Sequence, residues 1–216
     1  MINTKNFVRS IRNGCLFTAT SLALAGCGAA NEPGASDSPL GSSSAELKGG
    51  RHNCGPTGRL VSPTVPAALI VPATATLVAR YHATGTQNYV CSPSTATNAD
   101  GGVTNVWTFK APNATLYNEH CCVAGTHFAG PTWRSIDGSS VVGAKLASAT
   151  SPNPDSIPIL LLKAASNSGS GIFSNVTFIQ RLDTLGGVAP TGPCEVQGAE
   201  LDVPYEANYY FYAGGI

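Results

Sequence analysis

Charged side chains are scarce in this 216-residue chain: Asp, Glu, Lys and Arg make up 11 % of it, against about a quarter in ordinary soluble domains. Twelve basic residues balance twelve acidic ones. From Lys48 to Arg181 the basic residues are scattered singly, so no cationic stripe is available to hold a nucleic-acid backbone. No apolar run approaches the roughly 20 residues of a permanent transmembrane helix. No C-x-x-C occurs, which removes the common redox and zinc-ribbon spacings. No G-x-S-x-G turn marks a hydrolase nucleophile. Gly186-Gly187 runs into Val188, Ala189 and Pro190 with no lysine behind it, so a phosphate cradle is missing and no nucleotide cofactor is expected.

What is present begins with an export signal. Lys5, Arg9 and Arg12 precede a short apolar run, Cys15 to Gly26, and no acidic residue interrupts them. Leu24, Ala25 and Gly26 directly before Cys27 resemble the bacterial lipoprotein signal, in which the peptide is cut at the cysteine and the thiol is acylated. Small residues at 25 and 26 fit a narrow peptidase site, and only a thiol at 27 accepts the diacylglyceryl group. The alternative is an ordinary secretory signal with Cys27 a chance thiol. Several acyl chains make an anchor stable, since each buried methylene adds about 0.8 kcal/mol. Gly28 in place of aspartate resembles lipoproteins passed on to an outer membrane. The expected location is therefore the cell envelope, with a membrane partner engaged through lipid.

Residues 27–53 are rich in Gly, Ser, Ala and Pro and cannot bury enough apolar surface to offset ordering entropy. They predict a flexible tether with a reach of roughly 25 to 30 Å. Loss of residues 1–26 leaves nine basic against twelve acidic side chains, a formal −3. Residues 54–216 have the size of one domain, and no internal repeat is visible. Besides Cys27, the mature chain keeps Cys54, Cys91, Cys121, Cys122 and Cys194. In an exported protein these predict disulfides. Among the connectivities that five cysteines allow, Cys91 with Cys121 and Cys54 with Cys194 is the pairing expected.

From Ala75 onward, short β-branched and aromatic runs are separated by Gly, Pro, Asn and Ser, which predicts an all-β domain. Leu77, Ala79 and Tyr81 alternate with Val78, Arg80 and His82, and Thr84-Gly85 predicts a tight reversal. Trp107 and Phe109 share one face of a strand that Pro112 is expected to interrupt. Asp137-Gly138 suits a type I′ turn. The continuous apolar run "IPILLLKAA" predicts a strand covered on both faces. Tyr209 and Phe211 oppose Tyr210 and Tyr212 on the last strand. The expected architecture is a two-sheet sandwich or barrel-like domain of about eight to ten strands, linked by disulfides.

The segments "GTQNYVC", "APNATLYN", "GTHFAGPTW", "DGSSVVG", "IPILLLKA", "QRLDTLGGVAPTGPC" and "VPYEANYYFY" follow one another across about residues 57 to 213. Together they resemble a family of uncharacterised exported proteins of bacteria and fungi, catalogued as a domain of unknown function. The resemblance implies secretion, one β-rich domain and cysteines near 91, 121 and 194. Two departures are Ile159, where the family pattern has an aromatic, and Cys122, which is additional.

Candidate chemistry centres on "GTHFAGPTWRSIDGSSVVG", residues 125 to 143. It reads as a strand to Phe128, a corner at Gly130-Pro131, a second strand from Trp133 to Ile136 and then the Asp137-Gly138 turn. Strand geometry accounts for all of it except His127, the first candidate for ligand binding, with Trp133 and His82 beside it. Aromatic rings such as Trp107, Trp133, Tyr89 and Tyr210, with nearby amides, suit stacking on sugar faces; as core residues they fill space only. The leading expectation is a lipid-anchored, non-catalytic binding module with a carbohydrate or other extracellular ligand. The first alternative is a metal-dependent or hydrolytic enzyme centred on His127: His82, His120 and His127 would hold the metal, or Asp137 with Ser135, Ser139 or Ser140 would complete a triad. Paired carboxylates for glycoside cleavage are a weaker version, the acids being spread over the last strands. No H-x-H accompanies "AGTHF", and no metal site is expected. The second alternative is a structural envelope protein.

Mass spectrometry of the mature N-terminus is expected to find Cys27 first and carrying acyl chains. A leader still attached, or a bare Cys27, contradicts the anchor.

Overall fold

The structure, a computed structural model, describes residues 60–97 and 101–215. The expected signal peptide, Cys27, the tether and Cys54 lie outside the described residues. Eight strands follow in order: β1 (Ala75–Thr97), β2 (Val103–Tyr117), β3 (Val123–Phe128), β4 (Thr132–Ser135), β5 (Ser140–Ala149), β6 (Ile159–Ser168), β7 (Val176–Gly186) and β8 (Glu200–Gly214). Each pairs antiparallel with the next, and β8 returns to β1, so a single sheet closes into a barrel. Of the two architectures expected from sequence, the barrel forms.

Alternation decides which side chains fill it. Tyr205, Ala207, Tyr209 and Phe211 of β8 point inward with Ala79 and Ala83 of β1 and Ala114 and Leu116 of β2. The opposite parity faces out, and one part of it is also covered. A segment ahead of β1, with a 3-10 turn at Ala67–Leu69, lies over Ile159, Leu161, Phe178, Tyr210 and Tyr212. Leu69 is fully buried there, a contribution of about 2 kcal/mol. Buried Gln180 fastens this strap: its Nε2 donates to the Leu69 carbonyl at 2.7 Å, and its Oε1 accepts from the Tyr212 hydroxyl at 2.8 Å. The apolar run of β6 is thereby covered twice, Ile159 and Leu161 by the strap and Leu160 and Leu162 by the barrel core.

Curvature comes from irregular register. Bulges interrupt β1/β2 at Asn88/Tyr89, β5/β6 at Val142/Gly143 and Lys145/Ala147, and β7/β8 at Leu182/Leu185. Each adds twist and bends the sheet toward closure. At Gly143 a Cβ would stand 2.9 Å from the Trp133 ring, so the missing side chain makes room for the largest core residue.

Three local expectations are corrected. Thr84-Gly85 is no reversal, for β1 runs through it unbroken. Gly85 instead permits close approach, since a Cβ there would meet the Asn113 carbonyl oxygen and Ala114 of β2. Pro112 does not interrupt β2 either: it pairs with Gln87 in register beside the Asn88/Tyr89 bulge. The Asp137-Gly138 loop is not a two-residue I′ turn, because only Gly138 has positive φ. The loop spans residues 136 to 139, with Gly138 N–H donating to the Ser135 carbonyl and Ser135 N–H to that of Ser139.

The disulfide pairing is corrected as well. Cys91 bonds to Cys194, 103 residues away, with Cα atoms 5.8 Å apart. Cys91 lies opposite Trp107 in the β1/β2 ladder, whereas Cys121 follows the far end of β2, fourteen residues beyond Trp107. At about 3.3 Å per strand residue the two sulfurs are too far apart to meet. Cys121 is also disulfide-bonded. The Cys91–Cys194 bridge holds the long β7–β8 connection against β1 and β2, helped by Cys91 N–H to Ala199 O, Gly198 N–H to Cys91 O and Cys194 N–H to Asn105 O.

The end of the barrel that carries the β4–β5 and β6–β7 connections is closed. Phe173, fully buried, packs on Phe211 at 4.5 Å between centroids and on Tyr81 at 5.9 Å. Asp137 ties this plug down, its carboxylate accepting from Ser139 N–H, Ser139 Oγ–H and Ile172 N–H, while Ser139 Oγ accepts from Phe173 N–H. These bonds, Ser139 first, hold the exposed Asp137 carboxyl down at about 2.

Replacing Cys194 with serine is expected to lower unfolding free energy by about 2–5 kcal/mol, since the bridge closes a long loop. Urea titration checks it, and an unchanged midpoint contradicts the role assigned to the bridge.

Candidate functional site

The other end of the barrel is open. A cavity of about 540 Å³ enters there, within the range of small-molecule sites. Barrels of eight strands are just wide enough to be filled by side chains or to hold one small ligand. Small residues in the lining, Ala111 and Gly130, leave the second outcome available.

His127 and Trp133 form the floor. They are register partners across β3/β4, their rings stack at 4.3 Å and 8° between planes, and both meet Tyr209 edge-on at 5.1 and 5.3 Å. His127 Nδ1 lies 2.9 Å from the Thr132 carbonyl. A carbonyl only accepts, so Nδ1 carries the proton and Nε2 is left as an acceptor. Burial lowers the His127 pKa to about 3, with a smaller push from the Arg181 charge that outweighs no more than part of the opposing Thr132 bond. The ring is therefore neutral at any physiological pH.

The walls carry a second set of polar groups. Gln87 and Trp133 are 2 % and 1 % exposed, and neither Gln87 Nε2 nor Trp133 Nε1 has a hydrogen-bond partner. Both residues line the cavity. Arg181, on the inward face of β7 opposite Tyr209, donates from Nε and Nη2 to the Pro158 carbonyl at 3.2 and 2.8 Å. Its charge reaches His127, Tyr89, Tyr205 and Tyr209. Burial raises the Tyr205 and Tyr209 phenols, so both stay protonated. Lys145 and Lys110 stand nearer the mouth, Lys110 in an ion pair with Glu200. No acidic side chain is among the described lining residues.

The three histidines do not converge. His127 faces inward, and His82 sits on the outer parity of β1, against Asn208 at 3.2 Å and Glu206 at 3.5 Å. His120 is in the β2–β3 turn beside Glu119. Among the described residues no three His, Cys, Asp or Glu gather in a way that would hold a metal ion. Asp137 and Ser139 are engaged with the Phe173 plug at the closed end and are not available to His127. Of the expected site residues, Trp133 and His127 come together and His82 does not join them. Trp107 and Tyr210 also lie apart from the cavity, whereas Tyr89 lines it and bonds through its hydroxyl to the Gly187 carbonyl at 2.6 Å. Arg181 and Gln87 were missed from sequence. Arg181 shares its parity with buried Ile179 in a strand of apolar residues, and that alternation is the signal that places it inside.

A family profile matches residues 72–126 and 122–213. The chain belongs to the family DUF3455, described as a protein of unknown function. No curated protein and no solved structure matches it. The DUF3455 match spans the whole barrel, and with it every residue of the cavity.

A histidine with folded pKa near 3 and unfolded pKa near 6.5 stays neutral when folded and gains a proton when unfolded. Its contribution to stability is present above about 6.5 and is lost as pH falls toward 3. Urea unfolding at pH 5 is expected to give about 1–2 kcal/mol less stability than at pH 7. His127→Phe is expected to flatten that difference, and an unaltered pH profile in the variant contradicts the assignment.

Proposed function

We propose that this DUF3455 chain is a non-catalytic binding module that takes one small ligand into the open end of its barrel. The observation that supports the reading is the cavity itself: about 540 Å³ of space inside a barrel whose other end is plugged by Phe173. A barrel needing only stability would gain by filling that space, because packing to full density is what interiors favour. The neutral state of His127, with no acidic side chain among the described lining residues, argues against turnover. The lipid anchor at Cys27 and an outer-membrane location belong to the same proposal. The Cys91–Cys194 bond supports an oxidising compartment, and a tethered barrel would sample ligand close to the membrane surface. A carbohydrate is the less suitable ligand, since Gln87 is the one amide and no carboxylate is present among the described lining residues.

N-phenylnaphthylamine, a neutral apolar fluorophore, is expected to bind saturably at one site per chain. Ala111→Trp, which fills the mouth, is expected to weaken it at least tenfold, while Ile136→Trp at the closed end leaves it unchanged. No saturable binding, or equal binding to the Ala111→Trp variant, favours the structural-protein alternative.

A further inference from the structure

Resting on that reading, we infer that the ligand is an organic monoanion, an apolar body ending in a carboxylate, with its head against Arg181, Gln87 Nε2 and Trp133 Nε1. The chemistry of the donors leads there. Buried N–H groups without partners cost about 1–3 kcal/mol each, and native interiors keep few of them. Here two occur in one cavity, on β1 and β4, and both are donors only at the atom concerned. What they lack in common is an acceptor. A half-buried guanidinium on β7 adds N–H groups not spent on Pro158, together with a full positive charge.

The three groups are linked through the tyrosines of β8. Arg181 is the register partner of Tyr209; Tyr209 packs edge-on against Trp133; the Tyr209 hydroxyl is 3.4 Å from that of Tyr205; and the Gln87 amide adjoins the Tyr205 phenol without completing a hydrogen bond to it. The donors thus surround one region of the inner wall.

Charge sets the valence of the head. Lys110 is already paired with Glu200. Arg181 has no ion-pair partner among the described residues, and none of the described lining residues is acidic. One carboxylate, which can take two parallel bonds from a guanidinium, neutralises this half-buried cation. Lys145 at the mouth remains to attract the anion on entry. Most of the remaining lining sets the body: Phe109, Pro112, Pro131, Ile157, Leu160 and Leu162 offer no hydrogen-bonding side chain, and Ser148 adds one hydroxyl. An aliphatic or aromatic acid satisfies both halves. A sugar would leave its hydroxyls against these walls unpaired.

The test is displacement of N-phenylnaphthylamine from the full chain by isosteric pairs: decanoate against decanol, and naphthoate against naphthylmethanol. At least one acid is expected to bind tenfold or more tightly than its alcohol. Arg181→Gln is expected to erase that preference, read as the ratio of acid to alcohol affinity within the variant itself. Gln87→Met, which deletes an unpartnered donor and keeps the side-chain volume, is expected to leave the unfolding midpoint unchanged or raised and to weaken the acid several-fold. It serves as the second arm if Arg181→Gln does not fold. Alcohols binding as well as acids, or an acid preference that survives both substitutions, overturns the carboxylate and leaves the binding module standing. Failure of the fluorophore and of all four compounds to bind overturns both.

Discussion

The ladder between β1 and β8 is the constraint from which the rest follows. It joins the first strand to the last over Ala75–Val90 and Glu200–Gly214, and without it the meander would be an open sheet with two long edges. Closure turns the β8 alternation into an inside and an outside. Tyr205, Tyr209 and Phe211 become core, while Tyr210 and Tyr212 become the seat of the strap. The same closure requires Gly85 and Gly143, where backbone or the Trp133 ring comes too near for a side chain.

An uneven filling of that interior makes the site. Phe173, Phe211 and Trp133 are bulky and crowd the closed end and the floor; Ala111 and Gly130 of the lining are small. Space is left toward the connections that include Gly130-Pro131 and Ile157-Pro158. The floor is dry enough to keep His127 neutral, while the Arg181 guanidinium stands at the wall, bonded to the Pro158 carbonyl. A neutral acceptor ring, two unused donors and the Arg181 guanidinium make a poor catalytic set and a good holder for an acceptor-rich head. The disulfide stands at this open end, on Cys91, two residues from Tyr89 of the lining. It stiffens the rim and not the plug.

Period-two alternation was the most legible feature of the sequence. It placed the faces of β8, because side-chain parity survives any tertiary context; the double cover of β6 was legible instead from its unbroken apolar run, and the corner beside His127 from Gly130-Pro131. Turns were less legible. Thr84-Gly85 carries the same local signal as a hairpin, but its glycine answers a neighbouring strand that no local window contains. Asp137 attracted notice as a turn residue, and its carboxylate serves the β6–β7 connection 35 residues away. The expected pairs Cys91–Cys121 and Cys54–Cys194 both fail, because a long hairpin carries Cys91 and Cys121 apart and brings Cys194 to Cys91. In the site, His127 and Trp133 were found because rare residue types stand out. Gln87 and Arg181 were not, since their role depends on barrel closure bringing β1, β4 and β7 around one space.

The most direct measurement is a crystal structure of the protein isolated from its native envelope and never exposed to lipid-extracting solvent. Continuous density is predicted in the cavity, with an oxygen-bearing end within hydrogen-bond distance of Arg181 and an apolar stretch running past Leu160 and Phe109. A cavity holding ordered water alone, or one closed by inward movement of Phe109 and Pro131, would contradict the account.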